Sequence, residues 1–301
     1  MSAQPANFGA VTGVGAAPVP RLRLPRIGWA GMILVGAVAA IAAAAPRLAP
    51  YRVTELAGSP LEGPSTAHLL GTNSVGQDVL SQLIAGARIS LFVAVVAGGG
   101  TLVLGAAVGI LAGWLGGHVD ALLMRVVDVV LVIPKLPLLI LAGAYVGPSL
   151  GGIAAIIALT SWPPSARVLR AQVLSLRRRA HLRAALGFGA GALRVLRRHI
   201  VPELGLILAS GLVAAAGRAV ALEAGLAFLG LGDPSGASWG SIMRDALDFS
   251  GLFYTRAWSW WLVPPVMAIA ALLMGITFLG IAVEQRVNPA LARHATARSR
   301  R

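Results

Sequence analysis

Cysteine is absent from the 301 residues, which excludes disulfides and thiolate metal ligands. Charge is also scarce, since only 12% of the residues are Asp, Glu, Lys or Arg. That is about half of what a soluble chain of this length carries. Apolar residues make up 57% of the chain. Because so much apolar surface needs a solvent other than water, the composition predicts a protein that spans a lipid bilayer.

Signatures of catalysis are missing as well. Lysine occurs once, at Lys135, and no Gly-x-x-x-x-Gly-Lys-Ser/Thr loop is present to hold nucleotide phosphates. The five histidines do not have the spacing of metal ligands, and there is no Gly-x-Ser-x-Gly motif. We therefore expect no catalytic, cofactor-binding or metal-binding residues here, and the chain is predicted not to be an enzyme.

Six apolar runs predict the fold, and they lie near residues 27–46, 89–115, 121–145, 150–162, 204–222 and 260–283. About 20 helical residues cross roughly 30 Å of hydrocarbon. The fourth run is short, but helix can continue past a kink at Pro163 and Pro164 to about residue 176. The first run could also be a secretory signal peptide, although later spans favour a retained helix. The runs predict an all-α polytopic membrane protein with six transmembrane helices.

The intervening segments complete the predicted organisation. We expect a disordered basic tail over residues 1–26, a first transmembrane helix over 27–46 and an extracytoplasmic loop over 47–88. A five-helix core should follow over 89–285, with a cytoplasmic loop at 163–202, before a basic tail at 286–301.

The distribution of arginine and lysine predicts the orientation. If both termini are cytoplasmic, the inner segments hold seventeen of these residues and the outer segments five. Such an excess is typical of cytoplasmic loops. The net charge of +14 is therefore assigned to membrane topology, and nucleic acid is not expected as a partner.

A few charged residues fall inside the apolar runs. Arg125 and Asp128 are three residues apart and are predicted to form a structural ion pair on one helix face. Lys135 lies between Pro134 and Pro137, so it could line a cavity at a broken helix or extend to the outer interface. No role is assigned to Arg218 or Glu223.

Small and aromatic residues predict contacts of the spans. Gly105, Gly109 and Gly113 recur every four residues, which favours close helix packing over pore lining. Before the last run, aromatic residues are predicted to form a belt at the membrane interface, namely Tyr254, Trp258, Trp260 and Trp261.

The basic segment, residues 177–203, has no acidic residue before Glu203. Its first part predicts a short helix that ends at Gly187, followed by a second amphipathic stretch before Pro202. Leu182, Ala185 and Leu186 are predicted to share an exposed face that docks into a groove of another protein.

This segment resembles the cytoplasmic loop of binding-protein-dependent ABC importer permeases. Ala184-Ala185-Leu186-Gly187 and His199-Ile200-Val201-Pro202 carry the likeness, while the family's Glu-Ala-Ala aligns with His181-Leu182-Arg183. Three further stretches resemble the dipeptide, oligopeptide and nickel permeases in the same order: residues 68–81 (HLLGTNSVGQDVLS), 113–128 (GWLGGHVDALLMRVVD) and 223–240 (EAGLAFLGLGDPSGASWG).

The resemblance implies the type I ABC importer permease fold and the second permease subunit of a heterodimer that transports di- or oligopeptides. It implies two ATPase subunits, which would hold ATP and Mg, and an extracytoplasmic solute-binding protein. The ATPase-coupling residues would be Ala184, Ala185, Leu186, Gly187, Phe188 and Gly189.

Some alternatives stay open. Gly71, Thr72, Asn73, Gly76 and Asp78 form an extracytoplasmic motif that could contact the binding protein or the pore mouth, or provide ordinary turn and cap chemistry. Nickel, glutathione or opines could replace peptides as substrate. Function classes outside this family are an ion-coupled secondary carrier and a membrane scaffold for a cytoplasmic complex.

Overall fold

Helices dominate the part of the chain that the structure describes. A computed structural model describes residues 26–147 and 149–287. Within these ranges the helices are α1 Arg26–Leu48, α2 Val79–Leu115, α3 Gly117–Val132, α4 Lys135–Val146, α5 Leu150–Ser161, α6 Pro163–Arg177, α7 Ala180–Gly187, α8 Ala192–Val195, α9 Val201–Glu203, α10 Gly205–Leu226, α11 Trp239–Asp248 and α12 Val263–Val287. Wider π-helical turns occupy Leu196–Ile200, Ala227–Leu231 and Trp258–Leu262, and a 3₁₀ turn occupies Leu252–Tyr254.

All six predicted apolar runs are helical. Four are long and apolar enough to cross a membrane: Arg26–Leu48, Val79–Leu115, Gly205–Leu231 and Trp258–Gln285. Helices α3 and α4 together form a bent fifth candidate, and α5 is a shorter apolar helix that continues into α6. Within the described residues there is no β-strand, and only two isolated β-bridges occur. The prediction of an all-α polytopic protein is confirmed.

Proline explains both interruptions. Helices α3 and α4 meet at 86°, where Ile133 adopts an extended backbone before Pro134 (φ −70°, ψ 125°). Proline disfavours the α conformation in the residue before it. Helix α5 ends at Ser161 and α6 begins at Pro163, because Pro163 and Pro164 cannot donate backbone hydrogen bonds into the preceding turn. The helix is therefore interrupted at these prolines and continues beyond them to Arg177, as predicted.

The predicted loop over residues 47–88 ends ten residues early, because α2 begins at Val79. The Asp78 side chain accepts a hydrogen bond from the Ser81 backbone N–H and caps this helix. Ser81 and Gln82 made the first turns look like a loop in the sequence, yet both are buried inside the protein. The predicted tails, apart from Arg26 and residues 286–287, lie outside the described residues.

Helices α2 and α6 pack closely along the predicted glycine positions. An added Cβ at Gly105 would lie 2.6 Å from the Ser165 Cβ, and one at Gly113 would lie 2.8 Å from the Val173 Cβ. At Gly109 it would overlap the backbone of Ala166, whose Cα would be 3.0 Å away. These glycines therefore pack against α6, as predicted.

Candidate functional site

The basic segment closes the end of the bundle at which α2 finishes and α6 leaves the body. Its apolar underside packs on the protein itself: Leu182 of α7 and Val195 of α8 are buried with Val173 of α6. The same cluster contains Leu169, Leu176, Ile200 and Leu204. This apolar cluster extends from α6 to Leu204, just before α10. Apolar contacts therefore join the basic segment to both helices.

Ion pairs and hydrogen bonds hold the two ends of the basic segment. Arg179 contacts Glu203 at 2.5 Å, which ties the start of the segment to its end. The Arg177 guanidinium donates to the Gly113 carbonyl at 2.9 Å and lies 5.5 Å from the Trp114 ring centroid. A cation at the carboxyl end of α2 also matches the helix dipole. Several of the arginines therefore bind this chain's own groups.

The outer surface of the basic segment exposes large apolar side chains and an arginine-rich surface to its surroundings. The Phe188 side chain is 92% exposed and that of Leu193 is 65% exposed. Arg194, Arg197 and Arg198 surround an open recess of about 490 Å³ beside Leu193. Gly189 has a φ of +84°, a left-handed conformation that turns the chain between α7 and α8. Phe188 and Leu193 are thus exposed apolar side chains on the basic segment, and arginines flank Leu193. Exposed apolar residues of this kind suit protein docking.

Helix α3 is linked to α6 by two ion pairs. Asp120 accepts from Arg170 at 2.5 and 2.6 Å, a bidentate arrangement. Asp128 accepts from Arg167 at 2.5 Å. Both arginines lie on α6, the helix that leads into the basic segment. The ion pairs therefore link α3 to α6 directly and to the basic segment through α6.

At the other end of α2, residues 49–78 form a hydrogen-bonded loop. The Asn73 side-chain oxygen accepts from the backbone N–H groups of Val75 and Gln77. The Thr72 hydroxyl donates to the Ser59 carbonyl and accepts from the Glu62 N–H. Gly71 and Gly76 have φ values of +63° and +87°. These contacts fix the backbone of the loop.

Asp78 connects this loop to α2. One carboxylate oxygen accepts from the N–H and the hydroxyl of Ser81, both at 2.7 Å. The other lies 3.0 Å from the His68 Nδ1, and both side chains are almost fully buried. The His68 ring stacks at a tilt on Tyr51, with 5.0 Å between the ring centroids. Asp78 is therefore both the helix cap and the partner of a buried histidine.

A polar recess of about 370 Å³ lies beside this loop, lined among others by Gln77, Gln82 and Arg244. Asp233 and Asp245 also line it. Hydrogen bonds from Ser235 hold the pKa of the Asp233 carboxyl below its ordinary value, whereas burial raises the pKa of Asp245. The two acids therefore differ in how readily they stay charged.

Three charged residues within the spans lie away from both the basic segment and the loop of residues 49–78. Lys135 is the first residue of α4, at the bend, and Arg218 is exposed on α10. Glu223 is only 2% exposed, and its Oε2 has no hydrogen-bond partner among the described residues. Where the structure describes the chain, no three His, Cys, Asp or Glu side chains are grouped to hold a metal ion.

Known proteins match this chain over most of its length. Residues 105–293 match the family described as binding-protein-dependent transport system inner membrane component. The chain belongs to this family. It is 32% identical to the dipeptide transport system permease protein DppC of Bacillus subtilis, over 91% of this chain and 85% of that protein. It is 33% identical to a protein of Brucella suis biovar 1 named as a candidate peptide permease, over 93% and 92%.

The family confirms the resemblance seen in the sequence. The chain is a multi-pass inner-membrane permease, and the family is a transport component that works with a binding protein. The coupling residues predicted for this permease lie together in α7 and the turn after it. Ala184, Gly187, Phe188 and Gly189 are exposed there. Ala185 and Leu186 belong to α7, but their side chains lie outside what the structure describes.

The prediction that Leu182 faces a partner was wrong, since Leu182 is 2% exposed and packs inward. An amphipathic helix has one apolar face, and here part of that face is used by the permease itself. The exposed apolar positions are Phe188 and Leu193. Leu193 was missed, although its position among arginines could have indicated it.

The predicted ion pair between Arg125 and Asp128 is also corrected. Asp128 pairs with Arg167, and among the ion pairs of the described residues Arg125 has none. The reason is the packing of α3 on α6, which presents a guanidinium directly to Asp128 from the neighbouring helix.

The motif of the extracytoplasmic loop gives a testable prediction. Replacing Asp78 with alanine removes the α2 cap and leaves the buried His68 without its partner. We expect a loss of about 2 kcal/mol in the free energy of unfolding. The thermal midpoint of the purified permease in detergent measures this. Asp78→Asn keeps a capping oxygen and should lose less; equal midpoints for wild type and Asp78→Ala would contradict the assignment.

Proposed function

We propose that this chain is one of two homologous permease subunits of an ATP-binding-cassette importer for peptides. The observation that carries the proposal is the near full-length similarity to a permease named for dipeptide transport, over 91% of this chain. The helical membrane body and the docking surface at Phe188 and Leu193 support it. Separate ATPase subunits would bind ATP and Mg, and a solute-binding protein would deliver the peptide.

The proposed orientation places both termini and the basic segment in the cytoplasm. Helix α6 and the basic segment together, residues 163–203, carry nine arginines and no acidic residue before Glu203. Cytoplasmic loops are enriched in such residues. The polar recess near Asp233 and the loop of residues 49–78 would then face the solute-binding protein.

The contacts of the basic segment support a route for mechanical coupling. Leu182 packs on α6, and the pair Arg179–Glu203 joins the start of the segment to the residues before α10. When ATP closes the ATPases, a displacement of the docked segment would therefore move α6 and α10 together. Driving a two-state equilibrium from 1:99 to 99:1 takes about 5.5 kcal/mol. Two nucleotides can supply this, and the pathway would open at the interface with the partner permease.

Reconstitution tests the proposal. Proteoliposomes should contain the chain, its partner permease and both ATPases, with the binding protein and a labelled dipeptide outside. We expect uptake that requires ATP and that stops when either permease is left out. Uptake driven by a pH gradient without ATP would instead support a secondary carrier. ATPase docking without uptake of any solute would support a scaffold.

A further inference from the structure

The polar recess of about 370 Å³ joins two distant parts of the chain. Gln77 and Gln82, at the start of α2, line it together with Asp245 of α11. Helix α11 is fastened to α2, because the buried Trp239 donates its indole N–H to the Leu83 carbonyl at 2.9 Å. The walls are therefore held in place within the chain itself, and the volume is that of a small-ligand pocket.

Hydrogen bonds fix the orientation of the two glutamine amides. The Asn73 Oδ1 accepts from two backbone N–H groups, so its Nδ2 is the donor to the Gln77 Oε1 at 2.8 Å. The same Gln77 oxygen accepts from the Gln82 Nε2 at 2.8 Å. Since an amide oxygen can only accept, the groups that contact it must both be donors. This leaves the Gln77 Nε2 and the Gln82 Oε1 without a hydrogen-bond partner among the described residues.

The free oxygen of Gln82 indicates a ligand. Gln82 is only 5% exposed, and the recess is the open space that it lines. A polar atom on so buried a side chain normally has a hydrogen-bond partner. The free Gln77 Nε2 belongs to the neighbouring amide, so one donor and one acceptor lie side by side. This pair matches the C=O and N–H groups of a peptide unit.

Two groups of opposite charge lie at the same recess. Asp245 is exposed and belongs to none of the ion pairs found among the described residues. Asp233, by contrast, already accepts hydrogen bonds on both carboxylate oxygens. The Arg244 Nε contacts Asp248 at 3.3 Å, while its Nη groups lie over Gly230 of the recess wall. The recess therefore offers one free carboxylate and the outer edge of one guanidinium beside the two amides.

We propose that this recess binds a dipeptide on the outer side of the permease, before the peptide enters the pathway. The inference rests on the proposed function and its orientation. A free dipeptide carries one ammonium, one amide N–H, one amide C=O and one carboxylate. Asp245 binds the ammonium and Arg244 binds the carboxylate. Gln82 accepts from the amide N–H, and Gln77 donates to the amide C=O.

The test combines changes in the peptide with changes in the recess. Isothermal titration calorimetry measures binding to the purified permease pair, without the solute-binding protein. The ligands are Ala-Ala, N-propionylalanine, which is Ala-Ala without its ammonium, and Ala-Ala-amide, which lacks the carboxylate. Asp245→Asn and the loss of the ammonium should each weaken binding about tenfold, as for one lost charge-assisted hydrogen bond. Together they should weaken it no further, because both remove the same contact.

Arg244→Gln should show the same lack of additivity with Ala-Ala-amide. Glu55→Gln is the matched control, because Glu55 is an exposed acid of the outer loop and does not line the recess. It should bind Ala-Ala as the wild type does. If a variant does not fold, the ligands decide on the wild type alone: equal binding of Ala-Ala and N-propionylalanine would contradict the ammonium contact.

The remaining outcomes separate this site from its competitors. If the effects of Asp245→Asn and of the missing ammonium add, or if the wild type binds no dipeptide while ATP-driven uptake continues, the proposal is wrong and the proposed function stands. If Asp245→Asn leaves Ala-Ala binding unchanged but weakens binding of the solute-binding protein, the recess docks a basic side chain of that protein instead. If the expected coupling is found but no uptake occurs with ATP, the proposed function fails and the site stands.

Discussion

Replacing Gly109 with valine should prevent the permease from folding into a stable bundle. A Cβ at this position would overlap the Ala166 backbone, which cannot move aside as a flexible side chain could. Overpacking a well-filled interface typically costs about 1–3 kcal/mol, and more where backbone must shift. We expect little monodisperse protein in size-exclusion chromatography of the detergent extract, and a strongly lowered thermal midpoint for what remains.

Gly99 on the same helix provides the matched control. An added Cβ there meets nothing within 4 Å, so Gly99→Val makes the same chemical change without the overlap. Its yield and midpoint should match those of the wild type. If Gly109→Val were as stable as Gly99→Val, α2 and α6 would have to be farther apart than their packing indicates.

The glycine positions show how far sequence reasoning reaches. A small residue every fourth position predicted a close helix contact, and Gly105, Gly109 and Gly113 make one. The partner helix could not be named, because periodicity gives the face of a helix but not its neighbour. A broken helix near Pro134 was one of two interpretations of Lys135, because proline restricts its own backbone and that of the residue before it. The 86° angle depends on packing that no local pattern contains.

Side-chain partners were harder to predict than helices. Asp128 had a plausible partner three residues away, yet Arg167 reaches it from α6. Ser81 and Gln82 looked like loop residues, although burial inside the protein accommodates them in α2. In each case the contact that decides the side chain's environment comes from a residue distant in sequence. The residues next to it along the chain therefore carry little information about that contact.

Contacts with distant residues also decide the environment of the aromatic residues before α12. All four were predicted to lie in a belt at the membrane interface. Tyr254 is 93% exposed, but Trp261 is 1% exposed and belongs to the core. Trp260 donates its indole N–H toward the Thr72 carbonyl at 3.3 Å. A tryptophan near the end of a span can therefore fasten a loop to the bundle, and the sequence does not distinguish this from contact with lipid.

Replacing the exposed Phe188 of the basic segment is expected to have the second large effect, a loss of ATPase binding. Phe188 is 92% exposed although it is a large apolar side chain at the end of α7, so an exposed anchor of this kind is expected to fill a pocket of a partner. Replacing Phe188 with aspartate should weaken ATPase association about thirtyfold or more, the effect of losing an interface anchor of about 2 kcal/mol. A buried unpaired carboxylate adds to that cost. ATP-driven peptide uptake should be lost.

The design separates docking from folding. The Phe188 side chain is almost free of contacts within the chain, so Phe188→Asp should leave the thermal midpoint and the pairing with the partner permease unchanged. Leu69→Asp is the control, because Leu69 is 64% exposed in the loop at the opposite end of α2. It should copurify with the ATPases as the wild type does. Undiminished copurification and uptake in Phe188→Asp, and also in the double variant with Leu193→Asp, would show that the ATPases dock elsewhere.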